Sequence, residues 1–369
     1  MPSLTALDLP AGPAFVAALR DAWDRGEAVL PIDSRLPEPA KREVITAMAP
    51  ARVFTSTGLV EIEGRPVQPG DALVVATSGT SGLSRGVVLT HAAVAAAAVA
   101  TSEGLNVDPE SDRWLACLPL SHMGGLGVVT RALHTGIPLE IHDGFDPGRI
   151  VEAAAGGATL VSLVATLLAR IDPAAFRRVL IGGAPAPPTT PPNVTVTYGM
   201  TETGGGVVYD GTPLPGVEVR VVDAEIQIKG PMLLRAYRDG HNPREPDGWL
   251  PTGDLGSFEP DGRLVVSGRR SDLIISGGEN IWPAGVEDRL RRHHGVADAA
   301  VFGRADPEWG QVVVALIVPE PGESPPGLDA LRAFVSDALP DYMAPRAVEY
   351  RQHLPRTSLG KLRRGVLGD

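Results

Sequence analysis

The chain is almost without cysteine. Its one thiol, Cys117, excludes an intramolecular disulfide framework and any multi-cysteine metal site. Its place in the apolar run 114–118 predicts a buried core residue. An excess of basic residues is also missing: 33 Lys and Arg stand against 44 Asp and Glu, a formal net charge of −11. That balance argues against nucleic acid as a partner. No apolar run reaches membrane-spanning length, and residues 1–10 have no basic-then-apolar signal pattern. The expectation is a soluble cytoplasmic protein with no membrane insertion. What the chain has in plenty is glycine (43) and proline (35). They follow no period, which excludes collagen, and they punctuate apolar runs in the manner of a loop-rich α/β enzyme. With 369 residues, 43% of them hydrophobic, there is enough chain for two domains and a sizeable core.

The first two-thirds alternates helical and strand patterns. Helices are expected over a face made by Phe15, Val16, Leu19, Ala22 and Trp23, and over 41–48, 91–102 and 163–171. Buried strands are expected at 28–32, 72–76, 114–118, 159–161, 179–181 and 194–198. This predicts a largely parallel, helix-covered sheet. After Gly216 short β-type runs at 217–222, 225–229 and 264–267 predict a small antiparallel unit. From about Gly268 the pattern changes again, with a helix at 283–294, strands at 297–303 and 312–319, a helix at 328–339 and a short strand at 348–350. The fold class is α/β: a large N-terminal domain over 1–268 with helix-covered sheets and a small β-unit, then a small mobile α+β domain over 269–369.

Five segments carry chemistry. The first, Thr77-Ser-Gly-Thr-Ser-Gly-Leu-Ser-Arg-Gly86, follows a strand. Its glycines let backbone N–H groups converge on an anion, Ser78, Thr80 and Ser81 add hydroxyls, and Arg85 adds a fixed charge. It is not a Walker A loop, because no Gly-Lys-Ser/Thr follows. The second, Tyr198-Gly-Met-Thr-Glu-Thr-Gly-Gly-Gly206, lies at a strand end, where ligands of open α/β sheets bind. There Thr201 could bond a phosphate and Glu202 could hold Mg²⁺. The third is Thr252-Gly-Asp-Leu255, whose aspartate could accept two ribose hydroxyls. The fourth runs from Gly268-Arg-Arg-Ser-Asp272 through Gly277-Gly278 to Trp282-Pro283, and the fifth is Pro355-Arg-Thr-Ser-Leu-Gly-Lys361. Taken singly, each reads as readily as an ordinary loop, turn or solvated side chain.

Their order is specific. From Val29 to Lys361 the chain resembles the adenylate-forming superfamily of acyl-CoA synthetases, peptide-synthetase adenylation domains and luciferases. Within it, the stretches 162–168, 181–187 and 198–217 look like those of short actinobacterial o-succinylbenzoate–CoA ligases. The resemblance implies ATP, Mg²⁺ and coenzyme A, with a small carboxylic acid as substrate. It implies that Thr77, Ser78, Gly79, Thr80, Ser81, Gly82 and Arg85 surround the ATP phosphates, with Arg85 and Ser84 standing where the family has lysine and proline. Gly183, Ala184 and Pro185 would lie beside the adenine, together with Tyr198, Gly199 and Met200. Thr201 would touch the α-phosphate, Glu202 would bind the metal, Asp254 would hold the ribose with help from Arg269, and Lys361 would be the catalytic lysine. His122, Ser162, Gly199, Gly205 and Val207 would flank the acyl group. Ser271 stands at the family's hinge, and Gly277 and Gly278 would line the pantetheine tunnel.

The implied reaction is acyl-AMP formation followed by thioester formation, with o-succinylbenzoate in menaquinone biosynthesis as the leading acid. Alternatives are another aryl or medium-chain acid, a stand-alone adenylation enzyme that loads a carrier protein, and a non-catalytic nucleotide-binding protein. The oligomeric state stays open, with a homodimer among the readings.

Overall fold

A computed structural model describes residues 1–78, 84–183, 189–356 and 362–368. Among them, two seven-stranded sheets dominate. The first runs from edge to edge as Ala236–Tyr237, Ser84–Thr90, Asp71–Ser78, Ala28–Pro31, Leu4–Asp8, Arg52–Thr55 and Gly58–Glu61. The second runs as Thr212–Pro213, Gly205–Tyr209, Val194–Met200, Arg178–Ile181, Leu160–Leu163, Trp114–Ala116 and Leu139–Ile141. Both have parallel centres; the first is antiparallel at both edges, and the second only at the edge formed by Thr212–Pro213 and Gly205–Tyr209, since Leu139–Ile141 pairs in parallel. The helix-covered sheets expected over 1–268 are thus two; a continuous apolar strand shows that it is buried but not which sheet buries it.

The helix His91–Gly104 shows why they stack. It touches Asp71–Ser78 and Ser84–Thr90 of the first sheet and Gly205–Tyr209 of the second. Its run of alanines is apolar on nearly every side, although Ala92 and Val99 face solvent, and their small side chains permit close approach. Thr90 caps it, its hydroxyl accepting from Ala93 N at 3.1 Å. Beside it packs a helix over Met123–Thr135 that the sequence pattern does not announce. Three glycines in its first turns conceal it, yet they are there for contact: a Cβ on Gly125 would stand 2.3 Å from Leu118 O.

Other boundaries moved. Of the loop expected over 77–86, the described ends are paired strand, with Thr77 opposite Arg85 and Ala76 opposite Gly86, and 79–83 lie outside the described residues. The helix expected over 163–171 shrinks to Ala165–Leu168, because Leu163 completes a strand in register with Ile181. The helix expected over 283–294 ends at Leu290, after which 3₁₀-type turns lead into Val296–Asp306.

The chain divides into two compact units. One comprises Met1–Arg220, Gln227–Pro251 and Pro260–Leu264; the other comprises Val221–Ile226, Thr252–Glu259 and Val265–Asp369. The second unit packs the helices Pro283–Leu290 and Leu328–Ser336 on a five-stranded sheet through Ile281, Val286, Leu290, Val301, Leu331 and Val335. Among the described residues, no helix is long and apolar enough to cross a membrane.

Candidate active site

Three side chains of the first unit form a stack. Arg85, on the strand leaving the Gly/Ser loop, lays its guanidinium over the ring of Tyr237, 4.6 Å from the centroid. The Tyr237 hydroxyl donates to Glu202 Oε1 at 2.9 Å. Backbone pairing holds the three in place: Tyr237 lies opposite Val87, and Arg238 N donates to Gly86 O at 2.6 Å. Gly86 has no room for a side chain there, since a Cβ would stand 2.4 Å from Met48 Sδ. Leu234 N donates to Glu202 O at 2.7 Å, which ties the Glu202 turn to the segment leading to Tyr237.

Glu202 sits in the 3₁₀ turn Thr201–Thr203, between the antiparallel strands Val194–Met200 and Gly205–Tyr209. Thr203 is fully buried and anchors the turn: its hydroxyl accepts from Met200 N at 2.9 Å and lies 2.6 Å from Gly205 O. Gly204 takes φ +67, and a Cβ on Gly199 would stand 2.1 Å from Gly205 O. The hairpin closes only because these positions are glycine. Thr201 and Glu202 are therefore presented, half-buried, by a rigid support. Gly183 takes φ +79 after the strand Arg178–Ile181.

A second group lies deeper in the same unit. Arg131, on the helix Met123–Thr135, is half-buried with its Nη1 enclosed, and burial pushes its pKa down. Its Nε donates to Gly127 O at 2.6 Å and its guanidinium covers the Trp114 ring at 4.8 Å, yet Nη1 has no hydrogen-bond partner. Among the described residues no carboxylate pairs with it. With Thr101, Gly204, Gly205, Gly206 and Tyr209 it borders a cavity of about 20 Å³. Ser162 is also buried with an unpartnered hydroxyl. Leu160 pairs with Trp114 in parallel register, so Ser162, two residues on, shares the sheet face that carries Trp114. Val207 is buried outside the cavity lining. His122 caps the same helix and feels the Asp33–Arg35 pair; burial holds its pKa below the ordinary imidazole value.

In the second unit Asp254 is buried mid-strand in Leu250–Phe258 rather than at a strand start, and Arg269 Nε meets its Oδ1 at 3.0 Å. Gly277 takes φ +60 and a Cβ there would press 2.9 Å from the Trp309 ring, so its missing side chain makes room for tryptophan. Ser271 lies in the turn Arg270–Asp272. Arg364 Nε meets Asp272 Oδ2 at 3.2 Å, and its two terminal nitrogens fork the buried Glu287 at 2.8 and 2.9 Å. Gly79, Thr80, Ser81, Gly82, Ala184, Pro185 and Lys361 lie outside the described residues, as does the side chain of Ser78.

A family profile described as AMP-binding enzyme matches residues 59–237, and one described as AMP-binding enzyme C-terminal domain matches residues 285–361. A probable 2-succinylbenzoate–CoA ligase of Mycobacterium tuberculosis is 40% identical over 364 residues, covering 89% of this chain and 93% of the relative. The chain belongs to the AMP-binding enzyme family. The fold agrees: o-succinylbenzoate CoA synthetase (MenE) from Bacillus subtilis, in complex with the acyl-adenylate intermediate OSB-AMP, superposes with a TM-score of 0.88 at 29% identity over 100% of this chain and 88% of that one. The same synthetase in complex with ATP and magnesium ion gives 0.84 at 28% identity, over 100% of this chain and 89% of that one.

A magnesium ion suits an AMP-binding enzyme built this way. Among the described residues no group of three or more His, Cys, Asp or Glu is placed to hold a metal. Glu202 offers one carboxylate whose Oε2 makes no hydrogen bond among them. One carboxylate completed by substrate phosphates and water is the habit of Mg²⁺. Sequence reasoning missed two residues. Tyr237 carries no local signal, since its part depends on edge pairing with a strand about 150 residues earlier. Arg131 had one: it stands four residues after Gly127 on a helix, and a glycine at that spacing leaves room for a long side chain to fold back.

Proposed function

We propose that the chain joins a carboxylic acid to coenzyme A in two steps, through an acyl-AMP, and that the acid is o-succinylbenzoate. In the first step a carboxylate oxygen attacks the α-phosphorus of ATP, the bond to the β-phosphate breaks and pyrophosphate leaves. In the second the thiol sulfur of CoA attacks the acyl carbonyl and AMP leaves. Negative charge builds on the phosphoryl oxygens in the first step. Thr201 and Lys361 are the groups assigned to offset it, and Arg85 is assigned to the departing phosphates. Bound Mg²⁺, held by Glu202, would supply charge to the phosphates. Asp254 accepts the ribose hydroxyls, and Arg269 holds its carboxylate in place. Between the steps the chain is assigned a pivot at Ser271, which carries the second domain from one arrangement to the other.

The observation that carries the choice of acid is Arg131. A half-buried guanidinium whose enclosed Nη1 has no partner, with no counter-charge beside it, is costly to keep. A substrate that brings a second carboxylate offsets that cost, and a simple aryl or medium-chain acid does not. The cavity holds about one water and is too small for an aromatic ring. The second carboxylate is therefore assigned to the cavity mouth, with one bridging water to Nη1. The homologous ligases carry the same two-carboxylate substrate in their name.

The test is kcat/KM for o-succinylbenzoate against benzoate, salicylate and octanoate, in the parent and in Arg131→Gln. The expected result is a preference for o-succinylbenzoate that falls by at least tenfold in the variant, while benzoate changes little. A tenfold preference for any other acid refutes the substrate. The proposed setting is the cytoplasm, and the proposed assembly is a homodimer that covers the exposed Leu59, Val60 and Ile62; sedimentation of the purified chain decides the latter.

A further inference from the structure

One cavity of the first unit is lined with positive charge and has no part in the reaction above. Its volume is about 230 Å³, and Arg65, Gln68, Arg235, Tyr237, Arg238 and Asp239 border it. Its walls are built. A Cβ on Gly64 would stand 2.4 Å from Ala51 N, and Arg65 N donates to Ala49 O at 2.8 Å, so the 64–68 segment is fixed against the strand-forming chain before it. Arg238 is pinned by backbone carbonyls: Nε donates to Met48 O at 2.9 Å, Nη1 to Pro66 O at 2.8 Å, and Nη2 to Ala49 O at 3.3 Å and to Arg65 O. None of these acceptors carries a full negative charge.

The charges around the cavity do not cancel. Arg235 forks the buried Asp71 through Nε at 2.7 Å and Nη2 at 2.9 Å, and its Nη1 makes no hydrogen bond among the described residues. Arg65 is exposed and has no acidic partner among them. The one other carboxylate at the rim, Asp239, accepts from His241 N at 2.9 Å. Three guanidinium groups thus face two carboxylates, one of which is already taken up by Arg235. Burial, and after it the like charge of Arg65, holds the Arg238 guanidinium down at about 10. Free donors on Arg65 and Arg235, a fixed cation behind them and an open volume are the elements of an anion site.

We propose that this cavity binds a phosphate or diphosphate group on Arg65 and Arg235, apart from the nucleotide site. It shares Tyr237 with the Arg85–Tyr237–Glu202 stack, so an anion held there sits beside the groups assigned to the ATP phosphates. Two sources can supply it: inorganic pyrophosphate released in the first step, or the 3′-phosphate of CoA.

The experiment is calorimetric titration of the full chain with its nucleotide site saturated by Mg²⁺ and α,β-methylene-ATP. The ligands are pyrophosphate, CoA and dephospho-CoA. No carboxylic acid is present, so the result does not depend on which acid is the substrate. Saturable binding of about one equivalent of pyrophosphate is expected, weakened at least tenfold in Arg65→Glu, with the KM for ATP within twofold of the parent. Arg65 is exposed and outside the assigned machinery, so the variant should fold; Gln68→Ala, with a smaller loss, checks this. CoA bound more tightly than dephospho-CoA, with the difference lost in Arg65→Glu, assigns the site to the 3′-phosphate and also supports it. Absence of binding by all three ligands, or equal binding by parent and Arg65→Glu, overturns the proposal.

Discussion

The Tyr237 hydroxyl donates to Glu202 Oε1 at 2.9 Å while the Tyr237 ring carries Arg85 on its face. One phenol therefore sets the position of an anion assigned to the metal and a cation assigned to the phosphates. Removing the hydroxyl but keeping the ring separates the two effects. Tyr237→Phe leaves Arg85 stacked and frees Glu202. A hydrogen bond to a charged group is worth about 1.5–3 kcal/mol, so the Mg²⁺ concentration for half-maximal pyrophosphate exchange should rise about tenfold. An unchanged Mg²⁺ dependence would separate Glu202 from the metal.

Lys361 is assigned to the first step alone. Lys361→Ala should slow acid-dependent exchange of pyrophosphate into ATP by about a hundredfold or more. Thioester formation from supplied acyl-AMP should be spared. Equal losses in both half-reactions would refute the division.

Gly199 supports the Thr201–Thr203 turn from behind. In Gly199→Ala the new methyl would stand 2.1 Å from Gly205 O and 2.8 Å from Gly206 Cα, and neither is a side chain that can turn aside. Such overpacking costs about 1–3 kcal/mol. Denaturant unfolding should show that loss, and exchange activity should fall with it because Thr201 and Glu202 move with the hairpin. A variant as stable and as active as the parent would mean that the hairpin is not rigid.

Acid should weaken the fold in two stages. Burial holds His91, His122 and His134 below the ordinary imidazole value. Below about 6.5 the unfolded chain binds protons that the folded chain refuses, so stability falls as pH drops through that window. Asp33 is held low first by its hydrogen bond from Arg35, and Asp112 is low despite its burial through its bonds to Arg177 and Thr159. Their stabilisation is intact above the ordinary aspartate value and is lost only at lower pH. Tm should therefore decline as pH drops through about 6.5 and fall further below the ordinary aspartate value of about 4. A Tm constant between pH 7 and 5.5 would contradict the first stage.

The parts of this protein written in short range were legible. A run such as Ala72-Leu-Val-Val-Ala76 is a buried strand wherever it is placed, and the alanines after His91 announce a helix. The order of the Gly/Ser loop, the Tyr198–Gly206 turn, Asp254 and the C-terminal lysine pointed to an adenylating enzyme. Features settled by distant partners were not legible. The sheet that claims each strand, the placing of Tyr237 on the outermost strand and the isolation of Arg131 all arise from contacts made across the fold. Glycine misled in both directions. At 77–78 and 84–86 it suggested loop where the chain is paired strand, and at 124–127 it hid a helix whose glycines serve packing.

The single thiol has a practical consequence. Cys117 is 1% exposed and burial pushes its pKa up to about 12, so at neutral pH it presents almost no thiolate to a maleimide. The folded protein is in effect silent to thiol chemistry, and any cysteine added at the surface becomes the only label site. Val151, 59% exposed in one unit, and Tyr342, 42% exposed in the other, are places for such additions. A donor and acceptor dye attached through Val151→Cys and Tyr342→Cys would test whether the two units change their separation as ATP gives way to acyl-AMP and CoA, with no background from the core.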